Sequence, residues 1–462
     1  MMDASLATKV ALARAVGAVS RRGGRGGTSL PGKLLVRLDS DAPGRLAARL
    51  PRGTALVSAT NGKTTTAAMA ARILEGDGVA LVHNRAGANM GGGIATSLLQ
   101  AARRGETMTG ELGLFEVDEF WLERIVGDLH PRVLLLGNLF RDQLDRYGEL
   151  DAIVDRWSAL VRRPDQRDLR LVLNADDPLV ADLGREREHV VYFGVEDDSL
   201  ALDEPAHAAD AKHCRRCGAP YGFEAVYLGH LGRYSCANCG QSRPAPTIVA
   251  EQVTLAGVHS ARFVLRTAEG SAPVSLPLPG LYNVYNALAA AALATELGVG
   301  LQRVVAGLEG MRAAFGRAET LSVDGRQLRI LLIKNPVGAT EVLRTLALEP
   351  GRHDLLAVLN DRIADGRDVS WVWDADFELL AERVRRVTCS GTRAAELALR
   401  LKYAGVPEER IVVEGDLPAA LDRAVGDRDG DAGTLYVLPT YTAMLALRED
   451  LAARGLMRSS WE

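Results

Sequence analysis

Residues 54–65 read TALVSATNGKTT, and the organisation of the chain is worked out from this stretch. TALVSA, 54–59, is a short β-rich run ending in a glycine-containing loop. A helical pattern follows from about Thr64 to Leu74. Strand, glycine loop and helix in that order make a phosphate cradle. The backbone N–H groups of the loop converge on phosphate oxygens, and the helix N-terminus adds a favourable dipole. Lys63 then reaches the β- and γ-phosphates, and the Thr64 hydroxyl ligates Mg²⁺. The candidate nucleotide-binding residues are Thr60, Asn61, Gly62, Lys63, Thr64 and Thr65. The usual first glycine of the eight-residue pattern is Val57 here. The competing reading is a tight structural turn.

Outward from the loop, the chain alternates. GLFEV (113–117), RVLLL (132–136), LRLVL (169–173) and Val190 to Phe193 read as further strands. Strands alternating with helical stretches give a mostly parallel sheet with helices on both faces. Phosphate-bound Mg²⁺ takes a hard oxygen ligand from a neighbouring strand. Glu116, at the end of 113–117, is the candidate, against the reading of the acidic run as a solvated loop. The alternation breaks at about 195–250 and resumes with the alanine-rich helix 283–297. After Gly316 a second series begins, with strands at 328–333, 354–359, 385–389 and 434–438. Helical stretches are expected at 376–384, 393–404 and 417–425. The expected division is a helical segment over 1–45, a central domain over 46–316 and a smaller α/β domain over 317–462.

The chain has 462 residues, with 55 basic against 59 acidic side chains. A net charge of −4 argues against a general nucleic-acid coat protein. No run of about 18 uncharged apolar residues occurs, so no membrane-spanning helix is expected. Near the start, Lys9 and Arg14 interrupt the apolar residues and Arg21, Arg22 and Arg25 follow them, so an export signal is not expected. Leu6, Val10, Ala13 and Val16 recur at helical spacing. That helix either packs on its own domain or touches an anionic membrane surface.

Cys214, Cys217, Cys236 and Cys239 form two CxxC pairs separated by 18 residues. Two such knuckles make a tetrahedral thiolate cage that selects Zn²⁺, with an iron centre or a redox pair as alternatives. Four thiolates leave no open position for water, so the site is expected to be structural. The insertion, about 205–245, has little apolar content to fold around and needs such a staple. Cys389 stands alone in VTCSG and reads as a buried structural thiol.

Six motifs now follow in order: TNGKTT, EVDE, NLFRDQLDRYGE (138–149), LNADDP (173–178), GLYNVYNALAA (280–290) and FGRAE (315–319). In this order they resemble the Mur ligase family, over about residues 30–450. The resemblance implies an α/β fold: a Mur-ligase-like P-loop central domain with a zinc-ribbon insertion, and a smaller Rossmann-like C-terminal domain. It implies ATP-driven phosphorylation of a substrate carboxylate, then attack of an amine on the acyl phosphate. By position, Asn283 and Asn286 would lie near the adenine, Arg317 would contact the nucleotide, and Asp176 and Asp177 would lie near the ribose and hinge. The chain departs from the family at Ala59, where most members have glycine, and at Gln143, where many have histidine. A second metal is therefore left unassigned.

Only about 50 residues precede the loop, leaving no room for the family's usual nucleotide-sugar domain. With IKNPVGATEVL (333–343) and LNDRIADGRDVSWVWDADFE (359–378), this resembles the family's amidating branch. The implied reaction is ATP-dependent amidation of the α-carboxylate of D-glutamate in the lipid II stem peptide, in the cytoplasm at the inner face of the membrane. Ammonia would come from a separate glutaminase subunit, GatD. Asp368 would complete that partner's catalytic triad, with Asp365 and Asp374 as rivals and a helix-capping turn as the plain alternative. Lys334 would point into the cleft between domains and steady the transferring phosphoryl group. The competing functions are a stand-alone ligase adding an amino acid, and a nucleotide-regulated zinc-ribbon module gripping nucleic acid.

Overall fold

The computed structural model describes residues 4–22, 29–84, 88–103, 107–142, 150–203, 209–312, 317–427 and 433–457. Strand β1 (Thr54–Ser58) is buried along its whole length. It lies parallel between β3 (Leu112–Glu116) and β4 (Val133–Leu136). Such two-sided burial is why these strands are near-continuous apolar runs rather than alternating ones. β2 (Leu81–His83) closes one edge; β5 (Arg170–Asn174) and β6 (Val190–Val195) extend the other. Because the chain places β3 on one side of β1 and β4 on the other, a crevice opens beyond their carboxyl ends. Parallel α/β sheets bind ligands at that point.

The sheet then gains β9 (Ile248–Ala256), parallel to β6, and two antiparallel strands, β10 (Ser260–Thr267) and β11 (Gly270–Leu276). β10 alternates, with Ala261, Phe263 and Leu265 buried, as expected of a sheet covered on one face. Helix α4 (Lys63–Gly76) packs against the helices Leu281–Glu296 and Leu301–Glu309. Met69, Ile73 and Leu74 are fully enclosed there, each worth about 1.5–3 kcal/mol over an exposed position.

On the other face, the N-terminal helices Ala4–Arg22, Leu30–Leu38 and Ala42–Ala47 bury Leu6, Val10, Ala13, Leu35 and Leu46 in one core with Leu56 and Phe115 of the sheet. Val16 is half-buried. This is the packed alternative for the first helix. Of the basic cluster, Arg25 lies outside the described residues. Among the described residues no helix is long and apolar enough to cross a membrane.

The second sheet has β17 (Leu435–Pro439) and β14 (His353–Val358) at its centre. β13 (Arg326–Leu331) and β12 (Arg317–Val323) lie on one side, β15 (Val384–Ser390) and β16 (Ile411–Val413) on the other. All neighbours are parallel except the hairpin β12–β13. The helices expected at 393–404 and 417–425 form as Ala394–Tyr403 and Leu417–Gly426. The helix expected at 376–384 does not form. Two short 3-10 turns, Ser370–Trp373 and Phe377–Leu380, take its place, and β15 begins at Val384. The buried Arg400 guanidinium donates to the carbonyls of Val372 (3.0 Å) and Ala375 (2.7 Å), just before the expected helix, and Asp376 N–H donates to Thr340 Oγ1 at 3.1 Å, so this stretch is held by tertiary partners.

Candidate active site and metal centre

Gly62 caps α4 with φ +84°. Its missing side chain is also a matter of space, because a Cβ there would lie 1.9 Å from Asn286 Oδ1. The preceding residues are tied to the end of β4. Thr60 exchanges hydrogen bonds with the backbone of Phe140. Asn61 N–H donates to Asn138 Oδ1 at 2.9 Å, and Asn138 Nδ2 donates back to the Asn61 carbonyl at 3.0 Å. The loop is thus held open by side-chain amides rather than by regular structure.

Lys63 folds over this loop. Its ammonium donates to the Ala59 carbonyl and sits 2.9 Å from Glu119 Oε2. Burial alone would pull its pKa down. Glu119, with Glu116 and Asp118, more than offsets this, so the pKa is raised and the ammonium stays charged. Glu116 ends β3 with 4 % exposure. Its backbone is clamped by Asn84, while its Oε1 accepts a 3.4 Å hydrogen bond from Asn89. A nearly buried carboxylate held this loosely, lining the same cavity as Thr64, fits a hard divalent cation such as Mg²⁺.

From the C-terminal sheet, Lys334 and Asn335 complete the loop. Lys334 Nζ donates to the Thr60 carbonyl at 3.0 Å and pairs with Asp142 at 2.5 Å. Asn335 caps the helix Pro336–Ala347 and exchanges two side-chain hydrogen bonds with Asn61, at 2.9 and 3.2 Å. Between the two sheets lies a cavity of about 390 Å³. Asn61, Gly62, Thr64, Thr65, Glu116, Asn283, Asn286 and Lys334 all line it. Asn286 also accepts from Thr66 and donates to Asn283 Oδ1 at 3.1 Å.

Other expected residues fall elsewhere. Asp176 and Asp177 are fully buried away from the cavity. Asp176 binds Arg243 (2.6 Å), Tyr285 (2.7 Å) and the Val195 N–H, and burial raises its pKa despite them. Asp177 caps the helix Pro178–Ala181 and accepts from Leu139 N–H. They tie sheet and insertion together, and neither lines the cavity. Arg317 begins β12, but its side chain, like Gln143, lies outside the described residues. Glu119, Asn138, Asn335 and Glu341 were not singled out from sequence as site residues. Asn335 before Pro336 carried a readable signal, an N-cap followed by proline at the first helical position.

In the 361–374 segment the three aspartates separate. Asp365 is buried and spent on Thr442, whose N–H donates at 2.7 Å; burial raises its pKa. Asp374 pairs with Arg141 at 3.4 Å. Asp368 is exposed, and hydrogen bonds from Ser370 hold it below the usual carboxylate range. Trp373, 49 % exposed, meets the still more exposed Tyr403 edge-on at 5.8 Å. Cys389 is fully buried, which pushes its thiol up to about 12 and rules it out as a nucleophile at neutral pH.

The four insertion cysteines converge. Their sulfurs all lie within 4.8 Å of one another, with two pairs at 3.5 Å. A tetrahedral Zn²⁺ with bonds of about 2.3 Å puts sulfurs about 3.8 Å apart, so this donor set fits the ion. The ribbon's arginines are taken up by acidic neighbours: Arg215 by Asp155, Arg216 by Asp182, Arg233 by Asp198. The hairpin β7 (Gly222–Leu228)–β8 (Leu231–Ser235) reaches inward from the cluster, and Leu228 and Leu231 at its tip line the cavity. At the turn, a Cβ on Gly229 (φ +58°) would meet Phe140 at 3.1 Å and Val337 at 3.3 Å. The insertion that carries the cysteine cluster is therefore wedged between loop and C-terminal helix.

Residues 57–242 match the model of the Mur ligase middle domain, and residues 332–444 that of the MurT ligase C-terminal region. The chain is 35% identical, over 95% of its own length and 95% of the relative's, to the lipid II isoglutaminyl synthase (glutamine-hydrolyzing) subunit MurT of Streptococcus pneumoniae. Among solved structures it resembles a pseudomurein peptide ligase type C from Methanothermus fervidus, with a TM-score of 0.66 at 22% identity, covering 87% of this chain and 78% of that one. It also resembles a folylpolyglutamate synthase from Mycobacterium tuberculosis complexed with ADP and AMPPCP, with a TM-score of 0.60 at 16% identity, covering 88% and 94%.

Proposed function

The chain belongs to the MurT group of the Mur ligase family and has that family's α/β fold, and from that premise we propose that it is the ATP-using subunit of a two-chain lipid II amidating enzyme. The observation that carries this reading is the cavity where the Gly62–Thr65 loop, Glu116 and Lys334 meet. In the proposed reaction, the α-carboxylate of D-glutamate in the stem peptide attacks the γ-phosphorus of ATP and ADP leaves. Ammonia then attacks the carbonyl carbon of the acyl phosphate, phosphate departs with the C–O bond electrons, and the nitrogen loses a proton.

Each residue has a task that its surroundings support. The loop N–H groups and Lys63 hold the β- and γ-phosphates. Lys63 must exchange Glu119 and the Ala59 carbonyl for phosphate oxygens as ATP enters. Thr64 and Glu116 would hold Mg²⁺, which would neutralise phosphate charge. Lys334 balances charge developing on the transferred group from the opposite wall. Asn283 and Asn286 position the nucleotide, and Arg317 is proposed to contact it. The cysteine cluster holds a structural Zn²⁺. The proposed limits follow the two sheets: central domain 46–316, C-terminal domain 317–462, with 1–45 as a helical lead-in packed on the first.

The buried, protonated Cys389 supports a separate source of ammonia, a glutaminase subunit such as GatD. Asp368, exposed and held below the usual carboxylate range by Ser370, is the group proposed to orient that partner's histidine. Lipid II is membrane-anchored, so the proposed place of work is the cytoplasmic face of the membrane.

A coupled amidation assay tests the reading. The chain, ATP and Mg²⁺ are given lipid II with ammonium, or with glutamine and the partner, and mass spectrometry reads the loss of about 1 Da as carboxylate becomes amide. Product from ammonium alone, and from glutamine only with the partner, is expected. ATP turnover driven by a free amino acid, with no amide formed, would instead favour a stand-alone ligase.

A further inference from the structure

Glu341 has no place in the chemistry above, yet it lines the cavity. It sits on the helix Pro336–Ala347, where Val337, Gly338, Glu341 and Val342 share one face by the three- and four-residue spacing of an α-helix. That face forms one wall of the cavity. The residue is 5 % exposed. Its carboxylate stands 3.7 Å from Arg344 Nε, beyond hydrogen-bond reach, and Arg344 also faces Asp376 at 3.8 Å. Among the described residues no hydrogen bond reaches the Glu341 side chain. An enclosed carboxylate without a hydrogen-bond donor is costly, and such groups mark binding sites.

We propose that the Glu341 carboxylate reads the ribose of the bound nucleotide, accepting hydrogen bonds from its vicinal 2′- and 3′-hydroxyls. The inference rests on the reading of the cavity as an ATP site. The phosphate end is fixed by the loop, whose Asn61 abuts Gly338. Glu341 lies one helical turn further on, about 4.5 Å along the axis. A carboxylate facing the phosphates would be repelled, so its ligand is a neutral donor. The far wall, with Ala68, Ala71, Leu278 and Met311, suits a flat base. Between phosphates and base comes the sugar. Two adjacent hydroxyls match the two acceptor oxygens of one carboxylate, which pairs with Arg344 at 3.7 Å and which no hydrogen bond reaches among the described residues.

The test is calorimetric binding of ATP, 2′-deoxy-ATP, 3′-deoxy-ATP and ITP, with Mg²⁺ at pH 8, to the full chain and to Glu341→Leu and Glu341→Gln. The parent should bind each deoxy nucleotide about ten-fold more weakly than ATP. Glu341→Leu should bind ATP about ten-fold more weakly than the parent and lose that discrimination; Glu341→Gln, the closer isostere, should lose most of it. ITP should track ATP throughout. Deoxy discrimination retained in both variants would overturn the proposal. So would a changed ATP-to-ITP ratio, which would put the carboxylate on the base. Failure of the parent to bind ATP at all would instead overturn the nucleotide reading of the cavity.

Discussion

Gly62 and Asn286 meet with no room for a side chain between them: a Cβ on Gly62 would lie 1.9 Å from Asn286 Oδ1. The contact joins the phosphate loop to the helix Leu281–Glu296, and Thr66 from the next turn of α4 donates to the same oxygen at 3.3 Å. The Gly62 φ of +84° adds a backbone cost of about 1 kcal/mol for any other residue. Gly62→Ala must therefore displace Asn286 or tilt the start of α4. We expect at least a ten-fold weaker ATP affinity with secondary structure unchanged, read by equilibrium binding and circular dichroism.

Lys63 and Glu119 separate stability from activity. Both side chains are about nine-tenths buried, at 11% and 8% exposure. Lys63→Met leaves Glu119 without its cation, and removing one member of a buried pair costs about 3 kcal/mol. Glu119→Gln in the same chain should restore most of that stability. It should not restore ATP hydrolysis, because the phosphate-binding charge is still missing. Thermal melts and phosphate release on the single and double variants read the two effects independently.

The sequence was most legible where one physical rule acted alone. β1, β3, β4 and β5 are short apolar runs that two-sided burial requires, and they lie within a residue or two of their expected positions. The strand–loop–helix order around Gly62 was readable because an apolar run, a glycine and a helical pattern follow one another. At 376–384 no helix forms: Arg400 and Thr340, both distant in sequence, hold the carbonyl of Ala375 and the N–H of Asp376, and no window around 376 contains them. The hydrogen bonds of Asp176 and Asp177 are hidden from the sequence for a similar reason. Their partners Arg243, Tyr285 and Leu139 come from remote segments. Glu119 was overlooked because EVDE offers three acids, and spacing cannot say which one faces Lys63. β10 did carry an alternating signal in Ala261, Phe263 and Leu265, and that signal was left unassigned.

The ribbon's metal should be felt in the cavity. Its hairpin tip supplies Leu228 and Leu231 to the wall, and Gly229 packs on Phe140 and Val337. Among the described residues, the apolar cluster at the ribbon's outer end buries Tyr221, Tyr234 and two of the cysteines, with Ala219 and Phe223 packed against them. The hairpin itself is anchored by Ala225, Tyr227, Leu228 and Leu231 in the core of the central domain, so what the metal staples is the outer end of the ribbon. One Zn²⁺ per chain is expected by elemental analysis. Cys236→Ser should abolish that stoichiometry, lower the melting temperature and weaken ATP binding. Metal loss with nucleotide affinity unchanged would show that hairpin and cavity are uncoupled.

Glu341 gives stability a defined pH dependence. Burial, against the pull of Arg344 and aided by Asp376, raises its pKa from 4.5 to about 7 in the folded chain. A carboxyl whose folded pKa is raised adds stability in its protonated form, below about pH 4.5. That contribution is lost as pH rises through about 7. The shift corresponds to something on the order of 3 kcal/mol. Glu341→Gln has no proton to lose. In denaturant titrations without nucleotide it should match the parent near pH 5 and exceed it by a few kcal/mol at pH 8. Equal stability at both pH values would mean the carboxylate is better solvated than its burial implies.

Asp368, Asp365 and Asp374 can be told apart by what each one touches. If Asp368 orients a partner's histidine, Asp368→Asn keeps the Ser370 N–H contact and the local turn but removes the charge that favours imidazolium. Glutamine-driven amidation should then fall by at least 100-fold, while the ammonium-driven reaction and ATP affinity hold. Asp365→Asn should act differently. It disturbs a buried acceptor of the Thr442 N–H and hydroxyl, so it should lower the melting temperature and depress both reactions together. Asp374→Asn removes an exposed ion pair with Arg141, worth less than about 1 kcal/mol, and should change neither reaction. Trp373→Ala should weaken association with the partner at unchanged ammonium activity, because the exposed indole is not part of the cavity. Loss of the ammonium reaction in Asp368→Asn would move that aspartate from the partner's chemistry into this chain's own fold or active site.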